Sequence, residues 1–222
     1  MNFARGNSPG VVADLLDAIA RRAWVPEPSL LRLLCAIIVA GGLYGAAMGG
    51  WRVFEDERWQ LAIFGAIKSP LLIVTTSLVV LPAFFVLNTV AGLRDDFREA
   101  MRAILVGQAG LTIALASLAP VTQFIYFTGV THRTAILTNA VMFTIAAVVA
   151  QFVMLRWYRV LIRKDRRHLI MLLAWLVLYA FVGMQMGWML RPFIGDPTQS
   201  PTFLREEPFT NAYVFIFRLI LG

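Results

Sequence analysis

The chain has 222 residues, 59% of them hydrophobic and only 15% charged, with a mean hydropathy of +0.72 and a net charge of +7. So few charges cannot cover a soluble core of this size, and lipid must solvate much of the surface. The basic excess flanks apolar stretches instead of forming a soluble basic domain, which excludes nucleic-acid binding. The single cysteine, Cys35, excludes an intrachain disulfide or a thiolate metal site.

The leader, residues 1–29, starts with a predicted amphipathic helix. Ser8 suits its cap and Pro9 its first position, and Val11, Val12, Leu15, Leu16, Ile19 and Ala23 recur at helical spacing. Such a stripe either lies on the membrane surface or docks on a partner. Pro26 and Pro28 end it, and no cleavable secretory signal is read in this leader.

Five apolar stretches follow, at 30–50, 70–93, 103–127, 136–156 and 169–190, each about long enough for a ~30 Å hydrocarbon core. All thirteen acidic side chains lie outside them, so no carboxylate remains there to relay protons or hold a cation. The sequence therefore predicts an all-α polytopic membrane bundle over 30–190. An extracytoplasmic loop and a short apolar tail helix occupy 191–222.

The first span carries a glycine zipper, Gly41, Gly45 and Gly49. Residues four apart stack on one helix face, and without side chains they admit another backbone, within the chain or in a second copy. Residues 51–60 mix acids, arginines and two tryptophans, which suits the headgroup layer. The short apolar piece 61–67 stops at Lys68-Ser69-Pro70 and is expected to be a re-entrant half-helix or an interfacial turn. Pro82 and Pro120 are expected to break the second and third spans.

Lys and Arg in alternating loops sum to thirteen on the side of the leader and six on the other, with Arg218 left in the tail. The positive-inside rule then places the amino terminus in the cytoplasm and the tail outside. On that topology His132 and His168 fall on opposite sides and cannot share a metal. No protease, hydrolase, phosphate-loop or dinucleotide motif is present, so no enzyme activity, cofactor or metal is expected.

The fifth span contains a second small-xxx-small pair, Gly183 and Gly187, and runs into G-M-Q-M-G-W-M-L-R-P-F-I-G-D-P. Here Gln185, Trp188, Arg191 and Asp196 are candidate contacts to a partner or to headgroups. Arg191 either snorkels to phosphate or holds Asp196 in an ordered external platform. The run Trp188 to Pro197 resembles a W-x-L-R-P-F-I-G signature of bacterial multi-pass membrane proteins of uncharacterised function. Lys68-Ser69-Pro70 and Leu118-Ala119-Pro120 belong to the same resemblance, and the five-span layout is similar to Yip1-type proteins. The resemblance implies a bacterial inner membrane, with no known catalytic residue.

Two roles compete on these features. The favoured one is an accessory or structural membrane subunit that works through helix–helix and extracytoplasmic contacts, with anionic headgroups and protein partners or a second copy around it. The alternative is a channel or transporter for a neutral or lipidic solute, with Asn88, Gln108, Gln123, Asn139 and Gln185 facing the passage.

Overall fold

The computed structural model describes residues 29–52, 58–195 and 202–204. Among these, five helices are long and apolar enough to cross a membrane: α1 Leu30–Gly49, α2 Trp59–Val90, α3 Phe97–Phe127, α4 His132–Lys164 and α5 Arg167–Met189. A single 3-10 turn, Arg94–Asp96, precedes α3, and no strand occurs among the described residues. The chain is an all-α, multi-pass membrane protein. The leader helix, the tail helix and Asp196 lie outside the described residues.

Local chemistry sets the helix ends. Ser29 caps α1 by accepting from the Arg32 amide, and Thr131 caps α4 by accepting from the Thr134 amide. Gly92, at φ +72°, takes the left-handed conformation that closes α2, and the Leu93 amide returns to the Asn88 carbonyl at 2.8 Å. Below, the near end of the bundle is the one that holds residues 91–96 and 165–166, and the far end holds 50–52, 58, 128–131 and 190–195.

Four helices, α2 to α5, begin before the apolar spans predicted for them, and α4 also outlasts its span. α4 begins four residues before the predicted span and continues through Arg156, Arg159 and Arg163 to Lys164. Arginine and lysine are good helix formers whose stems lie along apolar surface, so a helix outlasts its hydrophobic stretch. The larger correction is α2. The piece 61–67 is neither re-entrant nor an interfacial turn, because it forms the first part of one 32-residue helix that continues through Pro70 and Pro82. Likewise α3 continues through Pro120. A proline removes one ladder bond, and packing in a bundle can cover the carbonyl it frees. At Pro70 that carbonyl is Ala66, and it lies against Gly42, where an added Cβ would stand 3.3 Å from it.

α1 is the central element. It packs along both α2 and α3, while α4 lies against α3 and α5 leans mainly on α2. The α1–α2 contact runs backbone to backbone. A Cβ at Gly45 would fall on the Gly65 carbonyl, and a Cβ at Gly65 would fall on the Gly45 carbonyl. One turn later, a Cβ at Gly49 would fall on the Leu61 carbonyl, while at Gly41 it would make ordinary contact with Pro70. The zipper thus packs within the chain. Four buried clusters are built on this frame. One at the near end joins α2 to α5 around Phe84, Tyr158 and Trp175, and one at mid-depth joins α1 to α4 around Ile37 and Val106. Two at the far end centre on Tyr44 and on Trp51.

The two glycine pairs are not equivalent. Gly183 faces Thr76 of α2 with room for a methyl group, and Gly187 has nothing within 4 Å of an added Cβ. Gly183 thus packs on α2 through a side chain and not through a backbone. Replacing Gly45 by Leu is predicted to abolish the monodisperse folded peak in mild detergent, since it exceeds the ~1–3 kcal/mol typical of overpacking by striking a backbone. Gly187→Leu is predicted to elute and melt as the unmodified protein does. Equal tolerance of both substitutions would contradict the close crossing.

Candidate functional site

Lys68 is the most unusual side chain in the bundle. It is the tenth residue of α2 and has no exposed surface (0%). Its ammonium donates to the Pro192 carbonyl at 2.7 Å. Three rings surround it, Phe203 at 4.9 Å and Phe64 and Phe193 each at 5.9 Å from Nζ to ring centroid. The rings present electron-rich faces to the cation, an arrangement worth roughly 0.5–2 kcal/mol per ring depending on desolvation. The acceptor it reaches is a neutral carbonyl, and among the described residues no carboxylate pairs with it. One side chain of α2 therefore holds down two later segments, 192–195 and 202–204.

The segment after α5 folds inward over the far end. Phe193 and Ile194 pack on the cluster around Tyr44, and Ile194 also reaches the one around Trp51. Gly195 is buried so closely that a side chain there would run into Leu61 and the Arg58 guanidinium. Phe203 meets Phe64 edge to face, ring centroids 5.3 Å apart. Of the two alternatives for the run after Met189, a plain helix end or an ordered platform, residues 191–195 take a defined course that is anchored by Lys68.

Arg191 stands at the rim. Its guanidinium carbon lies over the buried Trp188 ring, 3.8 Å from the centroid, a cation–π contact of the kind arginine favours. Gln185 sits half-buried two turns back on α5. The proposed Arg191–Asp196 pair lies outside the described residues. Gln185, Trp188 and Arg191 thus line the last turns of α5, while Gly41, Gly45 and Gly49 lie on the α1–α2 contact and belong to the scaffold.

Three of the five polar residues expected to face a passage, Gln108, Gln123 and Asn139, make hydrogen bonds between helices. Asn139 of α4 accepts from the Tyr44 hydroxyl at 2.9 Å and donates both to the Tyr126 hydroxyl and to the Ala135 carbonyl, the latter at 2.8 Å. Tyr126 in turn donates to the Met48 carbonyl at 3.3 Å, and the Gln123 amide donates to the Ala47 carbonyl at 2.6 Å. Among the last carbonyls of α1, Met48 is thus reached by α3, and Ala47, which also accepts from the Gly50 amide, gains a second donor from it. The Trp51 indole donates to the Val130 carbonyl at 3.2 Å, and the Tyr179 hydroxyl of α5 donates to Gln108 of α3 at 3.2 Å. Asn88 donates to the Phe84 carbonyl of its own helix at 2.8 Å.

A charged clasp closes the near end. Asp96 pairs with Lys164 and lies 3.2 Å from the ring of the fully buried His168. Arg167 donates to the Ala91 carbonyl at 2.8 Å and bonds Asp165 through its amide and guanidinium. That guanidinium holds the Asp165 carboxyl below the usual carboxylate range. The loop after α2 and the loop before α5 are thereby fastened together. His132 and His168 lie at opposite ends of the bundle, and among the described residues no group of three or more His, Cys, Asp or Glu side chains is arranged to hold a metal ion.

No family model matches the chain, and no curated protein or solved structure matches it. What the site does must be argued from its own geometry. Sequence reasoning missed Lys68 and Gly65 because Pro70 was taken as the start of a span. Reading 59–90 as one helix would have placed a lysine in its interior and a glycine opposite the zipper.

Lys68→Met keeps the apolar stem and removes the donor, and a hydrogen bond from a charged group is worth roughly 1.5–3 kcal/mol. In a Cys35→Ala background, a cysteine at Ile194 is predicted to react with a maleimide about tenfold or more faster once Lys68 is methionine. An unchanged labelling rate would mean that the segment holds itself in place without the lysine.

Proposed function

We propose that this protein is a structural or accessory subunit of a larger membrane complex, acting through helix–helix contacts and through the segment after α5. One observation carries this reading. Asn139, Gln123 and Gln108 spend their hydrogen-bonding groups inside the bundle, on Tyr44, Ala47 and Tyr179. A transport path needs such groups turned toward a solute, whereas a scaffold needs them turned toward its own helices. The Lys68 anchor supports the same reading, since it fixes the backbone of 192–195 in one position. α5 offers the helix face for a partner: it leans mainly on α2, and open space lies in front of Gly187.

Charge distribution supports the orientation. The near end carries Arg94, Arg98, Arg102 and the run from Arg156 to Arg167, and the positive-inside count from the sequence assigns thirteen basic residues to that side against six to the other. We place the near end in the cytoplasm of a bacterial cell, against the anionic inner leaflet, and residues 191–195 in the periplasm.

Purification in mild detergent followed by identification of co-eluting chains tests the assignment. A stoichiometric second chain is the predicted outcome. A lone oligomer whose melting temperature rises with a neutral solute would overturn the scaffold reading in favour of transport. For orientation, cysteines at Thr202 and Arg166 in a Cys35→Ala background are predicted to label from outside and from inside, respectively. Labelling of both by an impermeant reagent on intact cells would contradict this.

A further inference from the structure

A trough of about 410 Å³ opens between α1, α2 and α3 toward the near end. Leu33 of α1, Val74, Leu78 and Leu81 of α2, and Met101 and Leu105 of α3 give it apolar walls. The glycine crossing fixes where α1 starts along it. Gly49 lies at Leu61, Gly45 at Gly65 and Gly41 at Pro70. The same antiparallel register brings Leu30 level with Leu81, which lines the trough with it. α2 runs on to Val90, nine residues or about 13 Å farther at 1.5 Å per residue. α1 has 20 residues, enough to cross a ~30 Å hydrocarbon core and no more. The last turns of α2 therefore extend past it toward the headgroups. That extension is apolar. Phe85 follows Val74, Leu78 and Leu81 at spacings of four and three residues, so the α2 wall continues a turn past Leu30. There Phe85 meets Phe97 of α3 edge to face, ring centroids 5.0 Å apart. Leu30 and Leu78 are each 59% exposed and Phe85 is 40% exposed, so the described residues leave this surface uncovered.

We propose that the leader of this same chain covers the trough, its amphipathic helix laying Val12, Leu16, Ile19 and Ala23 against Leu78, Leu81 and Phe85. Connection, length and depth all favour this occupant. Residues 24–28, five in number, join the leader helix to Ser29 and reach about 17 Å when extended. The trough begins beside Leu30, within that reach. A tether so short keeps its segment at an effective concentration on the order of millimolar. Val12 to Ala23 and Val74 to Phe85 each cover eleven residues, roughly 17 Å of helix. Past Leu30 the trough stands at headgroup depth, where an acyl chain leaves its own solvent but a helix with a polar back is at home. Asp14, Asp17 and Arg21 fall opposite the apolar stripe and turn to that polar layer. The contact is intramolecular, so it goes beyond the accessory-subunit reading and does not rest on it.

The test uses the full chain in lipid nanodiscs and, in parallel, in mild detergent, with Cys35→Ala as background. One cysteine replaces Leu81, and a second replaces either Ile19 or Arg21. Those two positions have nearly the same tether length and lie on opposite faces of the leader helix. A short bis-maleimide should join the Ile19 position to Leu81 within one chain several-fold faster than the Arg21 position, in both media. With the cysteine at Leu81 alone, its reaction with a soluble maleimide should speed up about tenfold when Ile19→Asp is added, the scale of one aliphatic side chain losing its burial. Leu78→Cys, on the same wall, replaces Leu81→Cys if the latter does not elute as a single peak. Equal cross-linking at the two leader positions, or an unchanged rate at Leu81 in Ile19→Asp, overturns the proposal and leaves the leader on the bilayer surface. Cross-links at the mass of two chains would give the trough to a second copy. Cross-linking that occurs in detergent and is lost in nanodiscs would give it to acyl chains.

Discussion

The backbone contact between α1 and α2 at Gly45 and Gly65 fixes the rest of the bundle. Helices in lipid gain no hydrophobic free energy by associating, because acyl chains are as apolar as leucine. What remains is close packing and hydrogen bonding, and bonds between membrane helices average only about 0.6 kcal/mol each. Packing must therefore choose the register. Reciprocal glycines do so in an all-or-none way, since any side chain at either position strikes a carbonyl. With that register set, Pro70 lies against Gly41 and Leu61 against Gly49, and the freed Ala66 carbonyl is covered by Gly42. α1 also packs along α3, so the α2 crossing positions both halves of the bundle.

Lys68 follows from the same crossing. Its neighbour Ser69 turns toward Gly45, and Lys68 itself points at the segment after α5. A lysine at mid-membrane costs about 2.5–3.5 kcal/mol on insertion scales, while a charge-assisted hydrogen bond returns roughly 1.5–3 kcal/mol. Cation–π contacts add about 0.5–2 kcal/mol each, so the carbonyl and the three rings are of the size needed to offset that cost. The cost of burial makes the cage a device for positioning: residues 192–195 and 203 must stay in place, or a buried charge loses its acceptor and its rings. The far-end ties among Tyr44, Asn139, Tyr126 and the last carbonyls of α1 hold the surface on which that segment rests.

The fold was legible because lipid leaves one strong signal, the length of an uncharged apolar run, and all five runs became helices. Their ends were less legible. Hydropathy marks where hydrocarbon would end, whereas Arg156, Arg159 and Arg163 keep α4 helical well past that point. Prolines misled for a related reason. Pro70 has its penalty in isolation, but a neighbouring glycine face was already there to cover the exposed carbonyl. Spacing identified Gly183 and Gly187 as readily as Gly45 and Gly49, although only the latter pair meets a second backbone. Periodicity reports which residues share a face and is silent on what that face meets. The candidate site was legible in its rim, Trp188 and Arg191, and hidden in its anchor, Lys68, which a span starting at residue 70 leaves outside the membrane.

Whether the glycine face is satisfied within one chain is the question on which the account depends. An added Cβ at Gly41 lies 3.4 Å from the Pro70 Cβ, close to the separation a disulfide spans. Cysteines at Gly41 and Pro70 in a Cys35→Ala background, with a protease site inserted in the loop 53–57, allow the direct measurement. After oxidation in the membrane and cleavage, the two fragments should migrate together on a non-reducing gel at the mass of one chain. Covalent dimers between uncleaved chains, or fragments that separate fully, would show that this face meets a second copy or lipid, and the account built on the α1–α2 crossing would fail.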